Sequence, residues 1–103
     1  MNLKALKIAI FSDRYRLTVH ASEEMESDAL AMDEIINSMY KGIVIEDYPK
    51  SKPFPSCLVL GFSKNNFPIH MVWAYKYSAK EATLVTVYRP DPKKWVEYKK
   101  RRK

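Results

Sequence analysis

Only two glycines, Gly42 and Gly61, and one cysteine, Cys57, occur in the chain. With so few flexible residues, and no repeat or low-complexity run, there is no stretch suited to a linker between domains. A single thiol cannot close an internal disulfide, and two histidines far apart, His20 and His70, offer no metal-ligand spacing. Apolar runs are only a few residues long, too short to cross a membrane. Lys4 and Lys7 break the first apolar stretch before a signal-peptide core can form. These absences predict a cytoplasmic protein with no metal, no cofactor and no membrane partner. What is present excludes disorder of the body: 47% of the 103 residues are hydrophobic and 13% aromatic. A chain of this length makes one domain, residues 1–103.

Charge is distributed unevenly. From Met1 to Tyr88 ten Lys and Arg balance ten Asp and Glu, whereas residues 89–103 carry eight basic and two acidic side chains. The whole net charge of +6 therefore lies in that C-terminal segment. A neutral body with a cationic end suits contact with a polyanion at one edge, and lysines and arginines bind phosphates by releasing condensed counterions. A merely solvated tail is the plain alternative.

Hydrophobic spacing divides the chain at Gly42. Leu3, Leu6 and Ile10 recur at helical spacing, so residues 2–12 read as a helix. Tyr15, Leu17 and Val19 alternate with polar residues and predict a brief extended segment. Thr18 is placed to cap a helix reaching Asp28, and Ile35, Ile36 and Met39 give a third helix its apolar stripe, stopped by Gly42. Beyond Gly42 the period becomes two, with strands expected at 43–48, 57–62, 67–77 and 82–88. Short polar connections between them predict an antiparallel meander. Trp95 and Tyr98, three apart, predict a short C-terminal helix pinned to the body. The expected fold is α+β, with N-terminal helices packed on a four-stranded antiparallel sheet.

Polar residues inside apolar strands are the candidates for chemistry. By the strand period, His70 shares a face with Val72 and Ala74, opposite Ile69, Met71 and Trp73. Thr86 and Tyr88 share a face of the last strand and Arg89 follows directly. If these strands pair, an imidazole, a hydroxyl, a phenol and a guanidinium converge at one end of the sheet. Metal-free RNA cleavage needs such a set: a base for the 2′-hydroxyl, an acid for the leaving 5′-oxygen and cations for the phosphorane. Histidine serves either proton-transfer role near neutral pH. His20, at the start of the second helix, is a further candidate. The competing structural readings are a buried, hydrogen-bonded His70, an ordinary strand tyrosine at 88 and a helix-terminal His20. Glu46 and Asp47 are adjacent on a strand, so they point to opposite faces and share no site. Cys57 reads as core.

Several blocks resemble, in order, an uncharacterised family of small prokaryotic domains. They are His20-Ala21 with Glu24-Met25, Gly42 to Pro49, Pro55 to Gly61, Pro68 to Val72, and Thr86 to Pro92 with Trp95. The resemblance spans about residues 15–102. Such domains are often encoded beside a zinc-finger protein of the YgiT or MqsA antitoxin type, and are grouped with the RelE and MqsR toxins, compact α+β ribonucleases that cut messenger RNA without metal. The resemblance implies a RelE-like fold and a type II toxin, an endoribonuclease silenced by a small antitoxin. Its expected substrate is messenger RNA, free or on the ribosome. His70 and Tyr88 are then the proton-transfer candidates, with His20 as a second, and Arg89 the transition-state cation. Lys99, Lys100, Arg101, Arg102 and Lys103 are expected to hold the RNA backbone. The rival expectations are a non-catalytic module that binds RNA or protein through its basic tail, and an accessory interaction domain without a nucleic-acid role.

Overall fold

The structure, a computed structural model, describes residues 1–103 as three helices, a five-stranded sheet and a small two-stranded one. Helix α1 spans Leu3–Phe11; the Asn2 side chain accepts the Ala5 N–H at 3.0 Å and so caps its start. Strand β1, Tyr15–Leu17, follows a tight turn through Asp13, and Thr18 then caps α2, Val19–Ser27. The Thr18 hydroxyl accepts from the Ala21 amide at 3.0 Å and donates to the Val85 carbonyl at 2.9 Å, joining the helix start to the sheet. Helix α3 covers Met32–Ser38.

After Gly42 come β2 (Ile43–Tyr48), β3 (Ser56–Phe62), β4 (Pro68–Lys76) and β5 (Glu81–Tyr88), an antiparallel meander in register with the expected alternation. The sheet is one strand larger than the expected four. Its order is β1-β5-β4-β3-β2, and β1 lies parallel to β5, pairing Tyr15 with Ala82 and Leu17 with Leu84. The Tyr15–Leu17 alternation was visible in the sequence. Its partner, more than sixty residues away, leaves no local signal.

The C-terminal helix is absent. Trp95–Val96 (β6) and Lys100–Arg101 (β7) instead form a hairpin. Its turn is closed by Lys99 N–H to Val96 O at 3.0 Å, with Glu97 and Tyr98 both left-handed at φ 52° and 62°. A spacing of three between aromatics fits this turn as well as a helix. What decides is the burial of Trp95 against the sheet, a tertiary effect.

The helices cover one sheet face. Leu6, Ile10, Ile35 and Met39 meet Cys57, Val59, Ile69, Met71, Trp73, Leu84 and Val87 in one buried cluster. Each such large side chain contributes about 1.5–3 kcal/mol by burial. Gly61 is required here: a Cβ would lie 2.5 Å from the Ser38 carbonyl and 2.8 Å from the Met71 methyl. Cys57 is core as expected, and burial pushes its thiol up to about 12.

Candidate functional site

The opposite face of the sheet holds the chemistry. Two bulges set its register. Ile45 is the extra residue in β2, which turns Glu46 and Tyr48 to the helix-free face opposite Leu58 and Ser56, and Val85 is the extra residue in β5. His70 and Tyr88 are direct cross-strand partners on that face. The convergence expected from the sequence occurs for these two. The phenol oxygen lies 3.1 Å from His70 Nδ1, and the Tyr98 carbonyl lies 2.7 Å from Nε2. A carbonyl only accepts, so Nε2 carries the proton and Nδ1 receives the Tyr88 hydroxyl. The imidazole is fully buried, with the Trp95 ring edge-on at 4.5 Å. Burial lowers its pKa and keeps it neutral. Both nitrogens are thus occupied inside the protein: His70 ties the sheet to the hairpin and does not face solvent.

Arg101 holds the other side of the hairpin. Its guanidinium donates twice to Glu46, at 2.9 and 3.1 Å, and stacks 4.7 Å from the Trp95 ring centre. Tyr48 also donates to Glu46. The Arg101 bond holds the Glu46 carboxyl below its usual range, and burial raises the Tyr48 phenol. Asp47, facing the other way as expected, pairs with the Met1 amine at 2.8 Å.

The remaining candidates separate. His20 is exposed on α2 and sits 3.1 Å from Glu24, apart from the His70–Tyr88 pair. Thr86 also donates to Glu24, which accepts the Val87 amide at 3.2 Å. Asp28, one helical turn on, accepts the Arg89 amide at 3.0 Å. The acids of α2 therefore close the β5 edge beyond the reach of short β1, which gives this acidic helix a structural purpose. Arg89 donates from Nε to the Asp28 carbonyl at 3.2 Å and approaches Glu34 at 3.8 Å, so its charge is directed at α2 and α3.

What the hairpin does build is a cationic concavity of about 570 Å³. Tyr88 and Trp95 line it together with Arg89, Lys93, Lys94, Arg101, Arg102 and Lys103, against one carboxylate, Asp91. Burial raises the Tyr88 phenol, so it remains protonated at neutral pH. Arg101, Arg102 and Lys103 reach this pocket; Lys100 lines a shallower neighbouring one, and Lys99 lines neither. Lys93, Lys94 and Asp91 were missed as individual site residues. Their signal was the cationic run itself, which carries no indication of which charges fold inward. No three His, Cys, Asp or Glu side chains gather as a ligand cluster, and no helix is long and apolar enough to cross a membrane.

No curated protein and no solved structure matches the chain. Residues 17–89, which run from the last residue of β1 through the end of β5 and include both His70 and Tyr88, match the family model described as Domain of unknown function (DUF4258). The match covers most of the sequence, and the chain belongs to that family.

Proposed function

We propose that the protein binds RNA in the cationic pocket and cuts it there without a metal ion, as the toxin of a type II toxin–antitoxin pair. The observation that carries this reading is the pocket lining: a protonated phenol, Tyr88, set among Lys and Arg side chains with a single carboxylate, Asp91. Phosphate is the ligand class such a lining selects, because several fixed cations in one concavity replace condensed counterions. In the reaction the 2′-oxygen attacks phosphorus and the bond to the 5′-oxygen breaks. Asp91 takes the 2′-hydroxyl proton, the Tyr88 hydroxyl turns from His70 Nδ1 to give its proton to the leaving oxygen, and both groups re-equilibrate with solvent. Lys93, Lys94 and Arg102 neutralise the phosphorane. His70 is a positioning residue, holding the Tyr88 oxygen at the pocket floor. A small antitoxin, expected to be of zinc-finger type, silences the activity by covering these cations.

A second reading, an RNA-binding module without catalysis, draws on one observation: both His70 nitrogens are satisfied internally. One experiment separates the two. Purified protein is incubated with RNA in excess EDTA, and Tyr88→Phe is compared with the Lys93→Gln/Lys94→Gln double variant. Under the nuclease reading wild type cuts, Tyr88→Phe loses about 10²–10⁴-fold in rate with binding retained, and the double variant flattens the slope of log affinity against log salt by about 2. Binding without cleavage by wild type, on or off the ribosome, assigns the module reading; no binding removes both.

A further inference from the structure

Below the hairpin the helix-free sheet face opens again into a second cleft, of about 460 Å³. Its character is opposite to that of the cationic pocket. Val72, Ala74 and Val85 contribute apolar surface from β4 and β5, and Phe54 adds an aromatic wall from the loop between β2 and β3. Ser56 and Thr83 supply hydroxyls at the lining. The Thr18 hydroxyl is already committed to the Val85 carbonyl and the Ala21 amide. An apolar slot of this size with a few convergent hydroxyls suits a flat, weakly polar ring.

The cleft and the cationic pocket lie along one strand. Val85 in the cleft and Tyr88 in the pocket are three residues apart on β5, or about 10 Å at roughly 3.3 Å per residue. Single-stranded RNA presents this combination, because its bases unstack readily and lie against aromatic side chains while the backbone follows cations. The cationic pocket alone reads phosphate and carries no sequence information.

We infer that the cleft is a nucleobase subsite, in which a base next to the bound phosphate lies over Val72, Ala74 and Val85 against Phe54, with its edge read by Ser56 and Thr83. The inference rests on the RNA reading of the cationic pocket and supplies the base selection that pocket lacks. Lys52, also at the cleft, is placed to accompany the strand's next phosphate.

The test uses the full chain and fluorescently labelled ten-nucleotide homopolymers of A, C and U, with affinity measured by anisotropy over a series of salt concentrations. Ala74→Phe fills the cleft floor and Phe54→Ala removes its wall; the second substitution lies in a half-buried loop position, so it reports even if the first does not fold. Wild type is expected to prefer one base by about tenfold, the order of one or two hydrogen bonds to the base edge made once the ring is seated against Phe54. Each variant should bring the three oligomers within about twofold of one another while the salt slope stays unchanged. Equal binding of all three by wild type, or a preference that survives Phe54→Ala, overturns the subsite. Failure of the cationic-pocket reading looks different: no oligomer binds wild type at any salt. Amide shifts of Val72, Ala74 and Thr83 on titration with free nucleosides then decide the cleft by itself, their presence supporting it and their absence overturning it.

Discussion

Replacing His70 by alanine is expected to unfold the hairpin before it affects any reaction. The imidazole is fully buried and makes two hydrogen bonds, to the Tyr88 hydroxyl at 3.1 Å and the Tyr98 carbonyl at 2.7 Å. Losing them costs about 1 kcal/mol each. The space left beneath Trp95, whose ring meets the imidazole at 4.5 Å, adds about 1–2 kcal/mol by the behaviour of large-to-small core substitutions. The sum, about 3–4 kcal/mol, is a large part of the roughly 5–15 kcal/mol that holds a small domain together. At about 4–8 °C per kcal/mol for a domain near this size, the midpoint should fall by roughly 12–30 °C. Calorimetry measures the fall, and Trp95 emission in a Trp73→Phe background locates it, since a released hairpin moves that indole into water. A midpoint within about 5 °C of wild type, with unshifted Trp95 emission, would refute the anchoring role. It would also return His70 to the list of groups available for chemistry.

Other expectations follow from the same face. Burial depresses the His70 pKa from its ordinary 6.5, so below that pH the unfolded chain takes up a proton the folded one refuses. Stability should therefore be full above pH 6.5 and decline as the pH drops toward the folded-state value, and His70→Gln should flatten this decline in urea titrations between pH 7 and 5. Glu46, depressed below its ordinary 4.5 by Arg101, adds a separate loss at lower pH: its contribution is present above 4.5 and disappears as the pH falls through its folded value. Glu46→Gln should cost about 1 kcal/mol at neutral pH, because the pair is partly exposed and screened, and should speed amide exchange in residues 95–101. Trp73→Phe should stay within about 1 kcal/mol of wild type by chemical denaturation. Its Nε1 is buried without a partner, and removing an unsatisfied donor offsets the smaller ring.

The body of the fold was legible because its signals are local. The change from helical to alternating period at Gly42, the Thr18 cap and the faces of β4 all appear in the structure where the residues indicated. Strand alternation placed His70 opposite the Ile69–Met71–Trp73 stripe; the register that sets it across from Tyr88 was not fixed by the sequence and comes from the structure. The sequence was silent on what would cover that face. Neither the bulges at Ile45 and Val85 nor the pairing of β1 with β5 has a composition of its own. Nothing local marks the role of the α2 acids, since Glu24 and Asp28 accept the amides of Val87 and Arg89, some sixty residues away. Arg89 shows the same limit: its position beside Tyr88 was plain, and its commitment to Asp28 and Glu34 was not.

The consequence for function lies in the last segment, where a run of cations is folded and not frayed. Glu97 and Tyr98 sit in left-handed conformations without being glycine or asparagine, which costs on the order of 1 kcal/mol each. A turn of that kind, joining strands of two residues, does not persist by itself. It persists here because three contacts from the sheet meet it: His70 binds the Tyr98 carbonyl, Glu46 binds Arg101, and Trp95 is buried between them. A neutral imidazole suits the central position because it offers one donor and one acceptor, and the site requires a donor toward Tyr98 and an acceptor toward Tyr88. Fixing the hairpin in this way fixes Arg101 and Arg102 relative to Tyr88 before any ligand arrives, so the ordering cost that a loose tail meets on binding is already met in folding. Truncating the chain at Tyr98 would therefore remove β7 and the Glu46–Arg101 pair along with five cations. Charge-neutral substitutions at Lys93, Lys94 and Lys103, whose side chains line the pocket while the hairpin uses only the Lys94 backbone carbonyl, which accepts the Arg102 amide, are the variants that separate affinity for phosphate from the integrity of the fold.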